Sequence, residues 1–286
     1  FNSDEAKSGL LLMLWGFFLK IVLADRIAIF VDWVYGDYHT FGGWYLIVAT
    51  VLFAIQIYCD FAGYSIIAMG AAQILGIRLM ENFQSPYLAT SVADFWRRWH
   101  ISLTSWFKDY LYIPLGGSRC SKWRKYMNKM IVFLVSGLWH GAKISFIVWG
   151  GLNGIYQVIG EILQPLRDKL VKIFHLNRNS LGHKAVHIIM TFVLIDFTWI
   201  FFRANSFSEA FTIISQIVHV HNPWILFDGS LYNCGLNSKN FCFMLLCILL
   251  LFVTDYLKQK KICIREIIAR QDAWCQVLII AFSVVF

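Results

Sequence analysis

The chain has 286 residues, 58% of them hydrophobic and only 15% charged, with a mean hydropathy of +0.60. A soluble domain carries about 25% charged residues, so the composition excludes a water-facing globular surface and predicts a membrane protein. The formal net charge of +8 does not point to nucleic acid, because the basic residues gather in three short clusters beside apolar runs, where membrane proteins keep their cytoplasmic charge.

In chain order, residues 41–59 carry no formal charge and are long enough to span the hydrocarbon, which takes about 20 apolar residues. The run ends at Asp60, in Tyr58-Cys59-Asp60-Phe61-Ala62-Gly63-Tyr64, a carboxylate suited equally to a site or to the scaffold. Ser91-Val92-Ala93-Asp94 has the spacing of a capping box, so a helix starts near Ser91. On that helix Trp96, Trp99, His100, Leu103 and Phe107 follow one face, and Arg97, Thr104 and Lys108 another. His100 therefore sits in an aromatic stripe, a pattern that also suits an amphipathic helix lying in the headgroup region.

Arg119, Lys122, Arg124, Lys125 and Lys129 form the first basic cluster; Arg167, Lys169, Lys172, Arg178 and Lys184 form the second. Residues 130–160 between them are too few for two full crossings, yet begin and end beside like-charged loops. A re-entrant or broken helical pair fits, and such a segment must line protein or a water-filled cavity. Within it stands Ser136-Gly137-Leu138-Trp139-His140-Gly141. An ionisable ring at membrane depth is costly and marks a functional site by default, which makes His140 the leading candidate.

Residues 186–202 form a further apolar run, interrupted by Asp196, which with Arg203 is expected to make a structural salt link. Residues 205–240 hold few basic residues and read as a loop region on the outer face. Residues 241–254 and 273–286 are shorter apolar candidates, flanking the third basic cluster of Lys258, Lys260, Lys261 and Arg265. At least four membrane segments are expected. His39, His175, His183, His187, His219 and His221 lie in polar or basic surroundings and read as solvated. Cys59, Cys120, Cys234, Cys242, Cys247, Cys263 and Cys275 are odd in number, contain no C-x-x-C and lack metal-ligand spacing, so they read as small buried hydrophobes and no metal is expected. Opening on Phe1 and ending on Phe286 in an apolar run, residues 1–286 read as one membrane domain from within a longer polytopic protein.

Several motifs then carry a resemblance. Asp60-Phe61-Ala62-Gly63-Tyr64-Ser65, Glu81-Asn82-Phe83 with Ser85-Pro86-Tyr87, and Asp94-Phe95-Trp96-Arg97-Arg98-Trp99-His100-Ile101-Ser102-Leu103 resemble, in order and spacing, the membrane-bound O-acyltransferase family. Asp109-Tyr110-Leu111-Tyr112-Ile113-Pro114-Leu115-Gly116-Gly117, Gly137-Leu138-Trp139-His140-Gly141 and Trp199-Ile200-Phe201-Phe202-Arg203-Ala204 resemble its bacterial alginate and peptidoglycan O-acetylation branch. The likeness runs over about residues 7–210.

The resemblance implies an all-α, polytopic membrane bundle with re-entrant or broken helices around a central transfer path, lacking here the N-terminal helices of the family and the extreme C-terminus. It implies that His140 is catalytic and that His100 lines the acyl path. Trp139, Asp60, Trp96, Trp99 and Arg97 are read as path or support residues beside them, and Lys143, one helical turn beyond His140, as a candidate for charge stabilisation at the mouth. Asp196 falls outside the family pattern. No bound cofactor is implied; an acyl thioester, acetyl-CoA or an acyl carrier, is the donor substrate. The acyl group, acetyl by this branch, would pass across the bacterial cytoplasmic membrane to an extracytoplasmic acyl-accepting partner and on to a hydroxyl of a cell-surface polysaccharide, with membrane lipid around the protein. Elementary chemistry agrees: a hydroxyl attacking a thioester must lose its proton, and a neutral imidazole accepts it at cellular pH, commonly for a gain of about 100- to 10,000-fold. With no G-x-S-x-G elbow, direct transfer is favoured over an acyl-enzyme. Two alternatives stand beside this: D-alanyl transfer to teichoic acid from a carrier protein, and a transporter or channel in which the two histidines relay protons.

The basic clusters predict an orientation. In a background without native cysteines, single cysteines at Lys122 and Lys260 should resist a membrane-impermeant thiol reagent in intact cells, while one at Asn222 reacts; labelling at Lys122 from outside would reverse the assignment.

Overall fold

A computed structural model of the chain describes residues 3–262, 264–269 and 271, and among these the regular structure is helical, without strands. The helices are α1 (Ser3–Phe17), α2 (Asp25–Gly36), α3 (Trp44–Ile74), α4 (Val92–Arg98), α5 (Ile101–Phe107), α6 (Lys122–His140), α7 (Ile144–Ile162), α8 (Gln164–Ile173), α9 (Leu181–Arg203), α10 (Phe207–His219), α11 (Ser238–Gln259) and α12 (Ile264–Ala269). They fall into two compact units, Phe1–Ser85 with His219–Phe286, and Pro86–Val218. Helices α3, α9 and α11 are long and apolar enough to cross a membrane, and α7 with α8, bent by 48°, adds a fourth span if counted as one. The apolar run 273–286 expected to be another lies outside the described residues, as do Cys263 and Cys275.

In the first unit α1 and α2 pack along α3. The apolar run does not end at Asp60, as expected, but continues to Ile74, because no residue that breaks a helix intervenes before Gly76 (φ +77°). Asp60 thus sits inside a 31-residue helix. A π-helical stretch, Phe18–Ala24, joins α1 to α2 and carries Lys20, whose Nζ lies 2.5 Å from Asp60 and 2.9 Å from Asp25. On α11, buried Asp255 accepts hydrogen bonds from Tyr58 Oη at 3.0 and 3.2 Å, and its carbonyl accepts from Ser85 Oγ at 3.1 Å. Lys258 pairs with Glu81, so the third basic cluster spends one charge internally. Cys59, Cys234 and Cys247 are buried as expected, whereas Cys242 is exposed on α11 and Cys120 is half-buried.

The second unit begins as its sequence predicts. Ser91 Oγ accepts from Asp94 N at 3.1 Å, and Asp94 Oδ2 reaches back to accept from Thr90 N at 3.3 Å and pairs with Arg98 at 2.9 Å. The helix that follows is not continuous, however. It stops at Arg98 and restarts at Ile101, with His100 between at φ +44°. The expected stripe from Trp96 to Phe107 is therefore split between two short helices.

Residues 130–160 do form a broken pair, as helices of 19 residues each that extend past the apolar run at both ends. Gly137 faces Phe146, Gly150 faces Phe133 and Gly154 faces Met130; each rise along α7 meets a fall along α6, so the pair is an antiparallel hairpin closed at Gly141–Lys143. The backbones touch: a Cβ on Gly137 would lie 2.4 Å from the Phe146 carbonyl oxygen, and one on Gly150 only 2.2 Å from that of Phe133. Small residues at such crossings let helices associate in lipid, where hydrophobic driving force between helices is absent. At the open end, Glu161 of α7 pairs with both Lys125 and Lys129 of α6.

Gly150→Leu should force α6 and α7 apart and cost about 1–3 kcal/mol or more. The thermal midpoint of the detergent-solubilised protein measures this, and an unchanged midpoint would mean that the two backbones do not meet.

Candidate active site

His140 is the last residue of α6, placed at the closed end of the hairpin by the turn at Gly141 (φ +150°). Its half-buried ring is enclosed by other rings. Trp149 of α7 stands edge-on at 5.2 Å between centroids, Phe202 of α9 at 5.1 Å and neighbouring Trp139 at 4.9 Å, with Phe146 at 6.2 Å. The first three are edge-to-face contacts that rings adopt because of their quadrupoles, and the Phe146 ring is tilted. Among the described residues no side chain hydrogen-bonds the His140 ring, so shape alone orients it.

His100 comes to the same place from α4. The chain enters the left-handed region there, which L-residues pay about 1–2 kcal/mol to adopt and histidine visits more often than most. The kink turns the His100 ring toward Trp139, 6.3 Å away. Trp139, 57% exposed, thus stands between the two histidines, contacting both. Trp96 and Trp99 are buried behind them: Trp96 meets Trp149 edge-on at 5.6 Å, and Trp99 stacks on Phe95 at 5.3 Å and contacts Trp199 at the same distance.

Not every expected residue joins them. Arg97 is exposed and donates to the Ala93 carbonyl of its own helix at 3.3 Å. Lys143 is exposed in the turn that caps α7, in extended conformation, rather than one helical turn beyond His140. Asp60 belongs to the first unit, paired with Lys20. The link expected between Asp196 and Arg203 is not formed: among the described residues Asp196 Oδ1 is buried without a hydrogen-bond partner, and the arginine seven residues on shares its face of α9 but lies two turns, about 10 Å, further along the axis. At the far end of the hairpin, the hydrogen bond from Lys125 to Glu161 holds its ammonium charged above the usual lysine range.

Sequence reasoning missed Phe146, Trp149, Asn153, Thr198 and Phe202. Asn153 had a signal, an amide in an otherwise apolar run; the aromatic residues had none, being ordinary constituents of a membrane helix.

A family model for the membrane-bound O-acyltransferase family matches residues 8–202, a stretch that takes in α4 through α7 and both histidines. The chain belongs to the membrane-bound O-acyltransferase family. A "Probable alginate O-acetylase" of Pseudomonas syringae pv. tomato is 36% identical over 209 residues, 72% of this chain and 38% of that protein. The peptidoglycan O-acetyltransferase of Helicobacter pylori is 36% identical over 217 residues, 76% of this chain and 40% of that protein. A teichoic acid D-alanyltransferase of Bacillus subtilis is 29% identical over 164 residues, 54% of this chain and 40% of that protein. The chain thus spans about two fifths of the length of the curated relatives it matches. As an acyltransferase-family member with several apolar spanning helices, it is a multi-pass membrane protein.

The left-handed turn at position 100 gives an order of stabilities. His100→Gly should be more stable than His100→Ala by about 1 kcal/mol, because glycine adopts positive φ without a Cβ penalty. Thermal unfolding of the two variants in detergent tests this; an alanine variant as stable as the glycine one would mean the kink is not kept.

Proposed function

We propose that this chain carries the transfer centre of a membrane O-acyltransferase, with His140 as general base and His100 beside the acyl path. The observation that carries the proposal is the meeting of two histidines, from separate family motifs, around one tryptophan at the closed end of the α6–α7 hairpin. The donor is a thioester presented from the cytoplasm, acetyl-CoA or an acyl carrier. As the acceptor oxygen forms its bond to the acyl carbon, its proton passes to the neutral His140 imidazole; the carbon–sulfur bond breaks, and the departing thiolate takes the proton back.

The acyl group we assign is acetyl, supported by relatives named for O-acetylation at 36% identity, against 29% for the D-alanyltransferase. D-alanyl transfer from a carrier protein is the second reading. We place the protein in a bacterial cytoplasmic membrane, handing its acyl group through an extracytoplasmic accepting partner to a hydroxyl of a cell-surface polysaccharide.

His140→Ala and the closer mimic His140→Gln should both lose nearly all turnover at any donor concentration while the protein still inserts and accumulates. His100→Ala should raise the apparent donor constant or lose part of the rate. Radiolabelled acetyl transfer in membranes, normalised to protein and titrated in donor, measures both. Near-normal transfer by the His140 variants would sink the general-base role, and proton or solute flux without acyl transfer would favour a transporter instead.

A further inference from the structure

Asn153 lies midway along α7 with 0% of its surface exposed, and its amide reaches three helices. Its Oδ1 accepts from Trp96 Nε1 of α4 at 3.0 Å; its Nδ2 donates to the Trp149 carbonyl of α7 at 2.9 Å and to Thr198 Oγ1 of α9 at 3.3 Å. The Thr198 hydroxyl donates in turn to the Ile195 carbonyl at 2.8 Å. Chemistry fixes the orientation of the amide: an indole N–H only donates and a backbone carbonyl only accepts, so a flipped amide would break both bonds.

Each anchor of this amide lies beside the candidate site. Trp96 precedes His100 by four residues, across the left-handed kink. Trp149, whose carbonyl takes one amide proton, presents its ring edge to His140 at 5.2 Å. Thr198 lies one helical turn before Phe202, whose ring is 5.1 Å from His140. One side chain therefore ties the element that carries His100 to the two helices that wall in His140. Such a satisfied polar network stabilises a core only modestly. Its stronger effect is to admit one arrangement of the three helices, since any sliding leaves a buried donor or acceptor unpaired.

We infer that Asn153 is a positioning residue that sets the spacing between His100 and His140; this rests on the acyl-transfer role proposed above. It touches no reacting atom and acts through the histidines. Misplacing a reacting group by an ångström costs on the order of 100-fold, so Asn153→Ala should lower turnover by up to about 10- to 100-fold, by no more than His100→Ala does, with any change in the donor constant in the same direction as that variant's.

The decisive measurement is a double-mutant cycle on rate with His100. If Asn153 works by placing His100 against His140, Asn153→Ala should cost little further rate once His100 is alanine, although the thermal midpoint falls in both backgrounds. A merely structural asparagine gives the opposite pattern, the same fold-loss of activity per folded molecule in both backgrounds, and that result would overturn the inference. Should Asn153→Ala fail to accumulate, Trp96→Phe removes only the indole donor while keeping a ring, and is put through the same cycle with the same two outcomes. If His140→Ala and His100→Ala themselves keep full transfer, the acyl-transfer role fails; if they lose it and the Asn153 cycle is additive, only the positioning role fails.

Discussion

The contact between the backbones of α6 and α7 is the constraint on which the second unit depends. With the carbonyl oxygens of Phe133 and Phe146 seated where side chains at positions 150 and 137 would go, nothing larger than hydrogen fits between the helices. Side chains along this seam must leave it sideways. Trp149 and Phe146 are consequently directed to the flanks near the turn, where they meet the ring of His140. Glycine in the motif around the histidine is therefore a spacing element, and what it secures is the direction taken by its neighbours.

Around that seam the unit is held by rings instead of ions. Phe95, Trp96, Trp99, Phe133, Trp149, Trp199 and Phe202 form one connected set of aromatic contacts. Large rigid rings with two side-chain torsions lose little entropy when fixed and resist displacement, so they hold the histidine they bound in place. The ionic contacts of this unit stay at the margins, as in the clasp of Glu161 on two lysines.

Composition and charge clustering made the all-helical membrane class legible, and the capping box located the start of α4 to the residue. The pair at 130–160 was readable because two like-charged loops bracket a run too short for two crossings. The kink at His100 was not: it comes from a single residue in the left-handed region, and helical periodicity carries no trace of that. Nor could spacing tell that α3 runs on past Asp60, since a charged residue in a helix ends nothing when Lys20 stands ready to pair with it. The site was half visible. His140 announced itself as an ionisable group in apolar surroundings and His100 through an aromatic stripe and a family motif, but Trp149 and Thr198 look like any other membrane-helix residues until the fold brings them together. Arg97 and Lys143, close in sequence to the two histidines, are exposed.

The hairpin is also a ruler. Its open end is marked by the clasp of Lys125 and Lys129 on Glu161, and His140 follows Lys125 after 15 residues of uninterrupted helix. At 1.5 Å per residue this separates the histidine from the clasp by about 22 Å. If the charged clasp rests at the headgroup boundary, the histidine lies beyond the midplane of a hydrocarbon layer about 30 Å thick. Distance from the clasp is thereby encoded as a residue count, and each residue inserted into or deleted from α6 would move the imidazole along the helix axis in steps of about 1.5 Å, with a rotation of roughly 100° that turns it away from its aromatic neighbours.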